Sequence, residues 1–113
     1  MEVKQTLTTK FHGKYLWYLQ RRKDNEACLT ELGLTLQDVH EELLGLSVVD
    51  YCEGPIPDRD MPGDLWMFGK FIRGREVYIK LKLATLGQLK QLKLVRVVSF
   101  HFAKEPLSYP YKE

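Results

Sequence analysis

"EVYIKLKL", residues 76–83, alternates without a break. Successive side chains of a strand face opposite sides of its sheet. Val77, Ile79, Leu81 and Leu83 therefore point one way, and Glu76, Tyr78, Lys80 and Lys82 the other. The segment reads as a strand with one face fit for a core. Its second face carries a phenol and two ammonium groups. Whether that polar face is solvated surface or a working site depends on what the rest of the chain sets beside it.

The neighbouring segments extend the pattern. "LWMFGKFI" is a second strand, and "RGRE" between the two is a tight hairpin turn. "ATLGQLKQ" is a second polar turn, leading to a last strand, "LKLVRVVSFH", residues 92–101. Pro106 and Pro110 stop regular structure in the tail. Upstream, "VVDYC" is short and extended. "EGPIPDRDMPGD", residues 53–64, holds three prolines and two glycines and reads as a loop.

Residues 7–46 read as helical. Phe11, Tyr15 or Leu16, Tyr18 and Leu19 recur at helical spacing, with Arg21, Arg22 and Lys23 in a last turn where cations suit the helix dipole. "NEACLTEL" is a second helix, with Asn25 as cap and Gly33 as terminator. A third starts at Thr35, whose spacing to Asp38 nearly matches a capping box, and shows Leu36, Val39, Leu43 and Leu46 as its apolar stripe, with Gly45 near its end. Helices first and strands second predict an α+β domain, with N-terminal helices packed on one face of a small antiparallel sheet. The opposite sheet face would then be open.

The chain has 113 residues, 44% hydrophobic and 28% charged, which suits one soluble domain spanning 1–113. No apolar run reaches membrane-spanning length and the N-terminus lacks a secretion signal, so a cytoplasmic protein without membrane contact is expected. Cys28 and Cys52 are far apart and form no CxxC, which argues against a cysteine-rich zinc site. Two free thiols suit a reducing compartment, and a disulfide is the alternative. A net charge of +2 leaves the partner to be decided by how charge is distributed.

In "VVSFH", strand parity puts Ser99 and His101 on one face and Val98 and Phe100 on the other. With Phe100 inward, His101 shares the face of Tyr78 and Lys80, and Lys70 could join them unless Gly69 marks a bulge. Tyrosine, histidine and lysines suit RNA cleavage by the 2′-hydroxyl. That reaction needs a base, cations for the phosphorane and an acid for the leaving 5′-oxygen, and it needs no metal or other cofactor. Lysines on an exposed strand face also serve solubility and guard edges, and a strand-end histidine is often structural. Asp58, Asp60 and Asp64 do not match a calcium loop and are explained by turn chemistry. Arg59 between two acids is a phosphate contact or their ion-pair partner. A metal-dependent nuclease is excluded where its strand acid would be Tyr78, and "HEELL" lacks the second histidine of a zinc helix.

"LGLTLQDVHEELLGLSVVDYC", "DLWMFGK", "EVYIKLKL" and "VVSFH", in that order, resemble the MqsR family of bacterial toxins over roughly residues 25–103. The resemblance implies a RelE/YoeB-like fold and a metal-independent endoribonuclease that cleaves mRNA and arrests growth. It also implies neutralisation by a cognate antitoxin protein, typically one with a zinc-binding domain. By resemblance, the family tyrosine and the lysine after it fall on Tyr78 and Lys80. The family's lysine after "VSF" falls on His101, another family lysine on or near Glu53, and a glutamine on Met67. The expected catalytic set is Tyr78, His101 and Lys80, with Lys70, Lys82 and Arg59 binding substrate. The rival readings are an RNA-binding relative without catalysis and a protein-interaction domain whose lysine face docks an acidic partner.

Overall fold

The structure, a computed structural model, describes residues 15–85 and 93–112. In chain order it comprises β1 (Tyr15–Leu19), α1 (Lys23–Leu32), α2 (Leu36–Leu44), a 3₁₀ turn (Val48–Asp50), β2 (Tyr51–Pro57), β3 (Asp64–Ile72), β4 (Arg75–Thr85) and β5 (Lys93–Phe102). The five strands form one sheet in the order β1-β5-β4-β3-β2. The α+β expectation holds, but the sheet is mixed: β1 runs parallel to β5, with Tyr15 opposite Lys93 and Leu19 opposite Val97.

The predicted first helix is corrected where it is described, since residues 15–19 are a strand; its residues 7–14 lie outside the described residues. "YLWYL" is a short run of aromatic and aliphatic residues that suits a half-buried sheet surface. Trp17 and Leu19 pack on the core while Tyr18 between them is 43% exposed, the period-two signature of a strand. Arg22 is therefore the N-cap of α1 rather than part of a C-terminal turn, and Asp24 and Glu26 supply the acids its first turn favours.

Asn25 does not cap α1; it lies inside it, fully buried. Beyond Leu19 the chain leaves the sheet, and β5 continues with its outer edge unpaired. Gln20 makes the last main-chain contact, donating its N–H to the Val97 carbonyl at 2.9 Å. The Asn25 amide then takes over. Its Nδ2 donates to the carbonyls of Gln20 (3.0 Å) and Val98 (3.2 Å), and its Oδ1 accepts from the Phe100 N–H (2.9 Å). A side chain thus substitutes for the missing strand.

The remaining terminus signals are borne out, but the predicted stripe Leu36, Val39, Leu43 and Leu46 is shorter: Leu36 is 60% exposed and Leu46 lies beyond the helix, in the core. Gly33 ends α1 in the left-handed conformation (φ 67°). Thr35 and Asp38 form a full capping box at the start of α2, and Gly45 closes it. The β3–β4 hairpin turns on Arg73 (φ 51°) and Gly74 (φ 82°). The Arg73 guanidinium also reaches the Leu32 and Gly33 carbonyls, a cation at the C-terminus of α1.

Residues 53–57, read as loop, belong to β2. Pro55 and Pro57 fit because β2 is an edge strand, where a missing N–H leaves no inner ladder bond unmade. Of the predicted turn "ATLGQLKQ", Ala84 and Thr85 belong to β4, and residues 86–91 lie outside the described residues. No regular helix or strand forms in residues 103–112.

The core lies between the helices and one sheet face. Cys28, Val39, Leu43 and Leu46 meet Phe68, Val77, Ile79, Leu81, Val95, Val97 and Phe100, all 1% exposed or less. Asn25→Ala removes three hydrogen bonds and strands buried backbone groups. It is expected to cost at least about 2 kcal/mol in urea denaturation. A loss under about 0.5 kcal/mol would show that this edge is not held by the amide.

Candidate functional site

The outer sheet face is set by the register of the central strands. Tyr78 pairs directly with His101, Lys80 with Ser99 and Lys82 with Arg96. Between Ser99 and Val97 the ladder slips by one residue. This bulge turns Val98 outward, to line a groove with Lys80 and Arg96, where simple alternation predicts it inward. Phe100 and Val97 both stay buried. Tyr78 and His101 therefore share the outer face, as expected, with Val77, Ile79 and Phe100 turned to the helices.

The two rings lie 5.4 Å apart between centroids, at 41°. His101 Nε2 faces Asp24 Oδ2 at 3.6 Å, and Nδ1 lies 3.0 Å from the Phe102 carbonyl oxygen. The Phe102 carbonyl is an acceptor within hydrogen-bond reach of Nδ1, while the 3.6 Å spacing to Asp24 leaves Nε2 without a hydrogen bond. Lys80 Nζ sits 5.8 Å from the centre of the Tyr78 ring. The Tyr78 phenol is pushed above its ordinary pKa, first by burial and then by the negative charge of Glu53. It is held as a proton donor.

Tyr78 and His101 form the floor of a cleft of about 710 Å³. Glu53 from β2 and Met67 from β3 line the same cleft, and the tail at Lys104–Ser108 supplies its far wall. Positions 53, 67, 78 and 101, separated widely in sequence, thus converge on one space.

Two lysines do not join this set. Lys70 points to the helix side, with Phe68 and Ile72, and its Nζ pairs with Glu42 on α2 at 3.3 Å. The expectation fails on parity alone: β3 and β4 pair without slippage through Gly69, and Lys70 lies opposite the inward-facing Val77, so it faces the helices although no bulge is present. Lys82 keeps the outer-face parity but is only 5% exposed, its Nζ bound to Asp58 Oδ2 at 2.7 Å. The 58–63 loop folds over it, closed by the Asp58 N–H donating to the Gly63 carbonyl at 3.0 Å. Arg59 is exposed in that loop and lines the Lys80–Arg96 groove. Among the described residues, no three His, Cys, Asp or Glu side chains come together as a metal site.

The tail crosses the outer face instead of leaving it open. Tyr109 donates its hydroxyl to Glu76 Oε2 at 2.6 Å, and the Leu107 N–H donates to Glu76 Oε1 at 3.2 Å. Gly69 makes this approach possible, since a Cβ there would lie 2.5 Å from both Leu107 Cδ1 and the Tyr109 hydroxyl. Asp24, Arg96 and this tail are absent from the sequence-based set. Arg96 alone had a signal: it breaks the apolar run "LVRVV", although simple alternation puts it inward with Phe100 and only the bulge turns it out.

Comparison with family models, curated proteins and solved structures gave no match. No helix among the described residues is long and apolar enough to cross a membrane.

Two predictions follow from the loop and the tail. The Lys82 ammonium, with the Asp60 N–H, holds the Asp58 carboxyl down at about 2. Its unfolded value is about 3.9, so the pair's contribution is complete above about pH 4 and is lost as pH falls toward 2. Asp58→Asn should lower the urea midpoint at pH 7 and flatten this acid dependence. Lys82→Met, which leaves Asp58 without its ammonium, should likewise flatten the acid dependence. Gly69→Ala should detach the tail, read as faster amide exchange at Leu107 and Tyr109. Unchanged exchange there would mean that Gly69 does not seat the tail.

Proposed function

We propose that this chain is a RelE/YoeB-like endoribonuclease, the toxin of a toxin–antitoxin pair, acting on mRNA in the cytoplasm. The convergence of Glu53, Met67, Tyr78 and His101 on one cleft carries the reading. These are the positions at which the MqsR resemblance sets functional side chains. Physical chemistry supports it independently, because the cleft holds a carboxylate, a phenol and an imidazole, with an ammonium beside the phenol.

In the proposed reaction the Glu53 carboxylate takes the 2′-hydroxyl proton. The 2′-oxygen forms a bond to the adjacent phosphorus. Tyr78, its proton retained, donates a hydrogen bond to a non-bridging oxygen, and the Lys80 ammonium offsets the charge gathering on the phosphorane. The bond to the 5′-oxygen breaks as His101 gives that oxygen a proton. The products are a 2′,3′-cyclic phosphate and a free 5′-hydroxyl. Asp24, 3.6 Å from Nε2, helps to orient the imidazole. Glu53 replaces a family lysine, so charge is reversed, but a carboxylate opposite an imidazole is itself a complete base–acid pair. Neutralisation would come from a cognate antitoxin with a zinc-binding domain, as the resemblance implies.

A labelled single-stranded RNA incubated with the protein in EDTA tests this. Fragments ending in 2′,3′-cyclic phosphate are expected. His101→Ala should slow cleavage by about 10²–10⁴-fold while the chain still unfolds cooperatively. Glu53→Gln should slow it similarly. Wild-type cleavage by either variant sinks its assigned role, and RNA bound but uncut by wild type leaves the chain a non-catalytic relative.

A further inference from the structure

Beside the cleft, across the Lys80–Ser99 rung, lies a second concavity between the bulged strand β5 and the 58–63 loop. Arg96, Lys80 and Arg59 line it, with Val98, Ile56 and Leu65 as its apolar part. Arg96 is half-buried, and its Nε and Nη2 both donate to Gln20 Oε1, at 3.0 and 2.6 Å. Gln20 fixes the guanidinium but brings no charge. A guanidinium has five N–H donors, and three remain after these two bonds. Among the described residues no carboxylate pairs with Arg96, Lys80 or Arg59. The nearest acid that could quench the groove, Asp58, is already bound to Lys82 at 2.7 Å. Asp60, also on its rim, leaves the groove with an excess of cations.

We propose that this groove binds a phosphodiester of single-stranded RNA flanking the scissile one, with Arg96 holding the phosphate and the apolar wall receiving its base. The site rests on the reading of the chain as an RNA-acting protein and adds a subsite to it. Lys80 lines the groove and its Nζ sits 5.8 Å from the centre of the Tyr78 ring, so a strand in the groove passes close to the cleft. A guanidinium oriented in advance by a neutral amide loses little freedom on meeting a phosphate and matches its oxygens bidentately. The bulge contributes by turning Val98 outward, which gives a base an apolar surface beside the charge.

The test uses a 2′-O-methyl RNA oligonucleotide, which binds but cannot be cut, titrated by fluorescence anisotropy in EDTA over a range of KCl. Arg96→Gln should weaken binding about tenfold or more at low salt. It should also reduce the slope of log affinity against log salt by about 0.7, the loss of one single-strand phosphate contact. Gln20→Glu keeps the arginine but neutralises it, and should weaken binding in the same direction. Lys112→Gln, an equal loss of charge on the tail, should leave affinity unchanged. Wild-type affinity and slope in both groove variants would overturn the subsite, as would a wild-type protein with no affinity for the oligonucleotide. Because the probe cannot be cut, a chain that binds it as described but fails to cleave ordinary RNA loses the catalytic reading and keeps the groove.

Discussion

The fold depends on how β5 is completed where β1 ends. β1 pairs only with residues 93–97, and β5 runs on to Phe102. An unpaired buried edge costs about as much as each lost hydrogen bond it contains. The Asn25 amide meets the Val98 carbonyl and the Phe100 N–H, and so pins the first turn of α1 to the sheet. Two functional placements follow from that one contact. Asp24, the preceding residue, is brought against His101. Gln20, whose carbonyl accepts from the same amide, is held where its side chain can seat Arg96.

The outer face is divided rather than open. The tail covers the Gly69 end and the 58–63 loop covers Lys82. What stays accessible is a band running from the Tyr78–His101 rung to Arg96, with Lys80 between. Covering the flanks limits solvent around this band and so strengthens the interactions of the charges left in it. The same coverage lowers the number of cations that can meet a ligand: Lys82 and Lys70 are both committed to carboxylates, one under the loop and the other beneath the sheet.

Local chemistry was legible in the sequence. The capping box at Thr35, the terminator Gly33, the Arg73–Gly74 hairpin and the alternation of β4 each depend on neighbours a few residues apart. So did the shared face of Tyr78 and His101, which needed only parity, since the bulge falls below Phe100. What was hidden depends on distant partners. "YLWYL" becomes a strand because β5 offers an edge, and the prolines of β2 are admitted because no strand lies beyond them. Asn25 looks like a cap until the exposed edge of β5 is in view. Lys82 looks solvated until the loop closes over it. The outward turn of Val98 had no sequence signal, because valine suits either face of a strand.

Pairing the earliest described strand with the last one also orders events during synthesis. The partner of β1 leaves the ribosome only after every other described strand has been made, and His101 leaves with it. The parallel edge, the Asn25 contacts and the cleft floored by Tyr78 and His101 all await that same strand. Chains topped by such long-range pairings close late. A prematurely released chain lacking β5 would have neither a finished sheet nor an imidazole opposite Tyr78. The topology therefore leaves the Tyr78–His101 rung unformed until β5 has been made.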